Sequence, residues 1–149
     1  MASLFLSQDP ANNLAEHVII KNVIGSLDPS KPLHVLELGA YEGLTSSWIA
    51  EFLLGDHPDS TLLCVDMWEP AVYYENLTAF EVAGSAHATV LAALSTGEAA
   101  TRFVNNVARA PFGARVRAAR TSTVAGLSTL IANLGGQMGR RELYDLIYG

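Results

Sequence analysis

The chain has 149 residues, which suits one domain, and half of them are hydrophobic against 16% charged. That balance requires a packed core and excludes a disordered chain. Fifteen acidic residues against nine basic ones give a net charge of -6, which sets aside non-specific nucleic-acid binding, since that needs clustered Lys and Arg.

Residues 1–11 read as a loose lead-in. They carry no basic residue and only a brief apolar stretch, so they do not read as a signal peptide. No apolar run approaches the ~20 residues needed to cross a membrane. A soluble, cytoplasmic domain is the expectation.

Asn13 precedes Glu16 by three positions, a variant of the capping box. Leu14, Val18, Val23, Ile24 and Leu27 follow at near-helical spacing. An amphipathic helix is predicted over 12–27, stopped by Asp28-Pro29. The run 33–38 is short, mostly apolar and bounded by Pro32 and Gly39, so it reads as a buried strand. Leu44, Trp48, Ile49, Phe52 and Leu53 recur at helical spacing and predict a helix over 43–54, ended near Gly55. The next strand is 61–65. Strand, helix and strand in this order imply a right-handed parallel unit.

Residues 67–94 are rich in Ala, and helical pieces with a mobile loop are expected there. Ser95 and Glu98 have capping-box spacing and open a helix whose inner face is Ala99, Ala100, Phe103 and Val107, ending near Pro111. A strand over 114–119 follows. Val124, Leu127, Leu130, Ile131 and Leu134 mark another helix, stopped by Gly135-Gly136. A final strand spans 144–148. Four strands alternating with helices predict a parallel α/β sheet flanked by helices in three layers. Arg115, Arg117 and Arg120 read as solvated positions around one strand in preference to a basic patch. Cys64 lies inside an apolar run and reads as a buried, inert thiol.

The chemistry gathers at the first turn, Glu37-Leu38-Gly39-Ala40-Tyr41-Glu42-Gly43. Gly39 can adopt backbone angles closed to other residues and leaves space for a ligand. Gly43 lets the helix start pack close to the strand. The helix N-terminus offers amide donors and the positive end of a dipole. Dinucleotide sites carry Gly-x-Gly-x-x-Gly, because a pyrophosphate must reach the backbone. This turn lacks the middle glycine, and Glu37 would repel a pyrophosphate while attracting an ammonium group. Asp66 ends the second strand, 23 positions after Gly43, near the ~20 expected for an acid that holds ribose hydroxyls. Adenosine with a positively charged amino-acid tail fits Glu37, the glycine turn and Asp66 together.

At these residues the chain resembles the class I S-adenosylmethionine-dependent methyltransferases. The segment 35–43 is similar to their first motif, and Cys64-Val65-Asp66-Met67-Trp68 to the end of their second strand. The branch most similar is that of the macrocin O-methyltransferase and cephalosporin-hydroxylase-like proteins. Supporting similarity comes from Thr45-Ser46 after Gly43, from 103–107, from Arg120-Thr121-Ser122 and from 144–148.

The resemblance implies a Rossmann-like sheet, the N-terminal part of the class I methyltransferase fold, with S-adenosylmethionine as cofactor. It implies that Gly39, with Ala40, Tyr41 and Gly43, faces the methionine part, and that Glu37 meets the amino group. Asp66 would hold the ribose. Met67 and Trp68 would flank the adenine or pack inside, and Ser122 would lie near the adenine edge. In this branch the fourth strand runs on into an acid and a histidine, whereas here Gly149 follows Tyr148. The expectation is one incomplete methyltransferase-like domain over 1–149. Its acceptor would be a small molecule, methylated on oxygen, and no acceptor site or general base is assigned.

His17, His34, His57 and His87 lack ligand spacing, so no metal site is expected. Tyr41 and Glu42 read as substrate contacts or as solvated turn positions. An uncovered strand at 144–148 is expected to favour self-association. The competing readings are a non-catalytic domain of the same fold and an NAD(P)-dependent oxidoreductase.

Overall fold

The computed structural model describes residues 13–57, 59–70, 85–136 and 146–148. The two apolar runs form neighbouring strands, β1 (His34–Leu38) and β2 (Thr61–Asp66), joined by a helix, α2 (Leu44–Asp56). They pair in parallel, with Val35 beside Leu62 and Glu37 beside Cys64. β3 (Val116–Arg120) pairs with β2, and β4 (Leu146–Tyr148) pairs with β1 on its other side. The sheet is therefore parallel throughout, in the order β3-β2-β1-β4. That is the opening of the doubly wound order 3-2-1-4-5-6. The parallel α/β architecture expected from the alternation of elements is present.

Alternation along the strands sends residues to two faces. Val35, Leu62 and Cys64 pack under Ile49, Ala50, Leu53 and Leu54 in the main core. α5 (Thr123–Gly136) approaches Val65: a Cβ on Gly126 would stand 3.1 Å from a Val65 methyl. α4 (Glu98–Arg109) packs beside α2, and α3 (Ser85–Ser95) packs on α4. Phe103, Val107, Ala93 and Leu94 join its core. No helix among the described residues is long and apolar enough to cross a membrane.

Several expectations are corrected. α1 (Leu14–Gly25) buries Ile20 and Ile24 against α2, while Leu14, Val18 and Val23 are exposed. Ile24 and Leu27 of the expected stripe do pack inward, but apolar residues stand on several faces of the helix, so spacing alone did not separate out the other three. Asn13 is its N-cap but makes no side-chain cap bond; Glu16 instead accepts a bond from the Thr45 hydroxyl at 2.9 Å, tying α1 to the start of α2. Ser95 closes α3 and does not open α4. The N-cap of α4 is Gly97, at φ +74°, a conformation glycine adopts without the Cβ penalty. Residues 113–115 form a 3-10 turn, so β3 starts two residues later than expected.

As expected, α2 ends near Gly55, at Asp56, while Gly135-Gly136 forms the last residues of α5. Of the stretch 67–94, residues 85–94 are helical and 71–84 lie outside the described residues. So do the lead-in 1–11 and residues 144 and 145. Among the described strands β4 has β1 as its neighbour, and Ile147 is 58% exposed.

Candidate functional site

Chain order reverses between β1 and β4, and in open α/β sheets the ligand crevice lies outside the carboxyl ends of strands at such a switch point. The glycine turn stands there. Gly39 has φ +86° and its amide donates to the Val65 carbonyl at 2.8 Å. No described atom lies within 4 Å of where its Cβ would be, so the backbone faces open space. Gly43, at φ +82°, has another role than expected. Its missing side chain makes room for α4, since a Cβ would meet Phe103 at 3.0 Å and Val107 at 3.2 Å. Ala40 turns its methyl into the core, leaving only its backbone to face a ligand.

Asp66 clips this turn to the end of β2. One carboxylate oxygen, Oδ2, accepts the Tyr41 amide at 2.9 Å and the other, Oδ1, accepts the Trp68 amide at 2.7 Å. The Trp68 indole N–H donates to the Tyr41 carbonyl at 2.6 Å. Tyr41 and Trp68 both have positive φ, +43° and +49°. Such angles are unfavourable for bulky residues and persist where surrounding bonds over-determine them. Each carboxylate oxygen has two lone pairs, so Asp66 retains capacity for a ligand hydroxyl.

Glu37 is 1% exposed. It points to the first turn of α2, where the buried Ser46 hydroxyl donates to Oε2 at 2.5 Å. Its other oxygen, Oε1, is buried and has no hydrogen-bond partner among the described residues. Loss of water raises its pKa from 4.5 to about 7, against the lowering effect of hydrogen bonds from Ser46 and Cys64. The Cys64 thiol is pushed up in turn by its own burial and by Glu37, so it is the inert thiol expected.

The raised pKa has a consequence for stability. The folded chain binds the Glu37 proton more tightly than the unfolded chain does. The burial penalty is therefore absent below about pH 4.5, grows as pH rises, and is complete above about 7. Glu37→Gln is expected to stabilise the fold by about 3 kcal/mol at pH 8 and to change little at pH 4.5. Urea unfolding at the two pH values checks this, and equal effects at both would contradict it.

Helix α4 backs the turn through residues the sequence did not single out. Glu42 is fully buried and is not a solvated turn position. Its Oε1 lies 3.8 Å from Arg102 Nε, and its carbonyl accepts the Asn106 side-chain amide at 2.9 Å. Arg102 also bridges to Glu98 at 2.8 Å. Positions 102, 103, 106 and 107 share one helical face, and that face grips the turn. The signal available was the polar pair Arg102 and Asn106 flanking Phe103 and Val107.

The Met67 carbonyl, just past β2, accepts from Arg120 Nε at 3.1 Å. Trp68 is buried against Phe103, with ring centroids 4.9 Å apart, so packing, and not an open adenine wall, accounts for it. The Ser122 hydroxyl accepts the Ala125 amide at 3.1 Å and caps α5.

The three arginines do not act as one patch. Arg115 donates to the Leu54 and Ser60 carbonyls, Arg120 reaches Met67, and Arg117 is exposed. His17 packs edge-on against Trp48 and Phe52, His34 bonds Thr61, and His57 is buried. The side chain of His87 lies outside the described residues. No group of three metal-ligating residues occurs among those described.

Compared by sequence, no family model matches the chain, and no curated protein matches it. Compared by structure, the chain is similar to the SAM-dependent methyltransferase from Agrobacterium tumefaciens, with 17% identity and a TM-score of 0.41. The similarity covers 95% of this chain and 32% of that one, so the chain spans about a third of that structure's length. At this distance the function of the site has to be read from its own geometry, in a Rossmann-like α/β fold.

Proposed function

We propose that this chain is the cofactor-binding portion of an S-adenosylmethionine-dependent methyltransferase. The observation that carries the reading is Glu37, a buried carboxyl with an unpartnered oxygen beside an open glycine turn at the sheet's switch point. A buried acid lacking a partner suits a cationic group, and the ammonium of an amino-acid tail is one. The backbone at Gly39 and Tyr41 would line the methionine part, and Asp66 would add ribose hydroxyls to the amides it already accepts. Met67 and Ser122, at the carboxyl ends of β2 and β3, would lie towards the adenine. Bound there, the cofactor supplies a sulfonium methyl group to a nucleophile, and the chain's part is to hold it in line. A small-molecule oxygen acceptor is proposed, in keeping with the family resemblance and with a net charge of -6 that does not favour nucleic acid.

A dinucleotide is the less suitable occupant. Tyr41 stands where the dinucleotide motif has its middle glycine, and its amide is already taken by Asp66. Titration calorimetry should show binding of S-adenosylmethionine and none of NAD. Tight NAD binding with no response to the methyl donor would overturn the proposal. Asp66→Ala is expected to weaken cofactor binding by about 1–3 kcal/mol. An unchanged Kd would remove Asp66 from the site.

A further inference from the structure

We propose that Glu37 and Ser46 form a proton-exchange site, in which a ligand ammonium takes the place of the proton on Glu37 and Ser46 is the positioning residue that turns Oε1 to meet it. This rests on the reading of the site as one for a cationic amino-acid tail.

Oε2 is occupied by the Ser46 hydroxyl, which leaves Oε1, without a partner among the described residues, as the oxygen open to a proton or a cation. Among the described residues the titratable groups around it offer no positive charge. Cys64 faces it from β2 as a buried thiol, and Asp66 at the end of β2 and Glu16 on α1 are acidic, both disfavouring the carboxylate. On the other side β4 places Tyr148 in register with Glu37. With a native pKa of about 7, the carboxyl is largely protonated at mildly acid pH. An ammonium arriving at Oε1 supplies the missing positive charge. The step balances: the neutral carboxyl and the ligand cation become an ion pair, and one proton leaves to solvent. A ligand with the same nucleoside but no amino group would leave the proton in place. The amino-acid tail is then selected by exchange as well as by fit.

The test is calorimetry of the whole chain with S-adenosylmethionine, from about pH 5.5 to about pH 7.5, in buffers of different ionisation heat. Below the carboxyl pKa, affinity should rise about tenfold per pH unit, levelling off above about 7, with close to one proton released per ligand at the acid end. Glu37→Gln should remove both the slope and the buffer dependence. Ser46→Ala removes a donor that favours the carboxylate, so the midpoint should move to higher pH, and Ser46→Thr should restore it.

Binding of S-adenosylmethionine with flat pH dependence and no proton release overturns this proposal and leaves the cofactor reading standing. No binding at any pH overturns both. A slope that survives Glu37→Gln assigns the proton elsewhere. A uniform loss of affinity in Ser46→Ala, with the midpoint unmoved, overturns the positioning role. Should Glu37→Gln fail to fold, the wild-type proton count alone decides.

Discussion

Gly113→Ala is expected to lower stability by more than about 3 kcal/mol, as for overpacking against atoms that have no room to yield. A Cβ at this position would stand 1.7 Å from the Val107 carbonyl oxygen and 2.8 Å from its carbon. Both are backbone atoms of α4, and Val107 is pinned at its other side by the turn at Gly43. The 3-10 turn is equally held, because the Gly113 amide donates to the Ala110 carbonyl at 3.1 Å and the following Arg115 binds Leu54 and Ser60. Relief therefore means withdrawing α4 from the glycine turn. Thermal unfolding followed by circular dichroism should show a drop in Tm of roughly 10 °C or more, or no folded protein. Stability within about 1 kcal/mol of wild type would show that α4 is not held against this segment.

Trp68→Ala is expected to cost about 3–5 kcal/mol, the range for deleting a buried large aromatic. The side chain is 5% exposed and stacks at a tilt of 54° on Phe103. Its loss opens a cavity between α4 and the end of β2, and it also removes the donor that holds the Tyr41 carbonyl. Trp68→Phe keeps most of the ring surface but removes the indole donor, and about 1–2 kcal/mol is expected. Denaturant titration of both variants separates packing from hydrogen bonding. Equal losses would mean that the indole N–H matters as much as the whole ring.

The legible parts of this chain are those in which one residue type has few alternatives. The strand at 33–38, the glycine turn and the acid at 66 were readable because an apolar run ending in glycine leaves the backbone little choice. α4 was readable from Ala99, Phe103 and Val107, whose spacing is helical and whose outer face is polar. α1 was misread because Val18, Ile19, Val23 and Ile24 make nearly every face apolar, and contact with α2 decides which one is buried. The capping-box spacing at Ser95 lost to a left-handed glycine two residues on, a choice made by the packing of α3 on α4.

At the site, Glu37 was identified by its place before the turn, but its burial was not, since nothing local shows that Ser46 will turn back to it. The burial of Glu42 was missed for a similar reason: a buried carboxylate depends on Arg102, far along the chain. Asp66 was identified as an acid at a strand end. Its partners are backbone amides, which carry no residue-type signal, so the clip it makes was invisible.

The indole that locks Tyr41 gives the chain its own optical reporter. It has two tryptophans, and Trp48, half-buried on α2, can be replaced by phenylalanine to leave Trp68 alone. The emission of Trp68 then comes from a ring in an apolar setting, whose one polar hydrogen is bound to the peptide group lining the proposed ligand site. Any occupant that draws on the backbone at Tyr41 alters that bond. Ligands can therefore be screened by the colour and intensity of a single fluorophore, without a label.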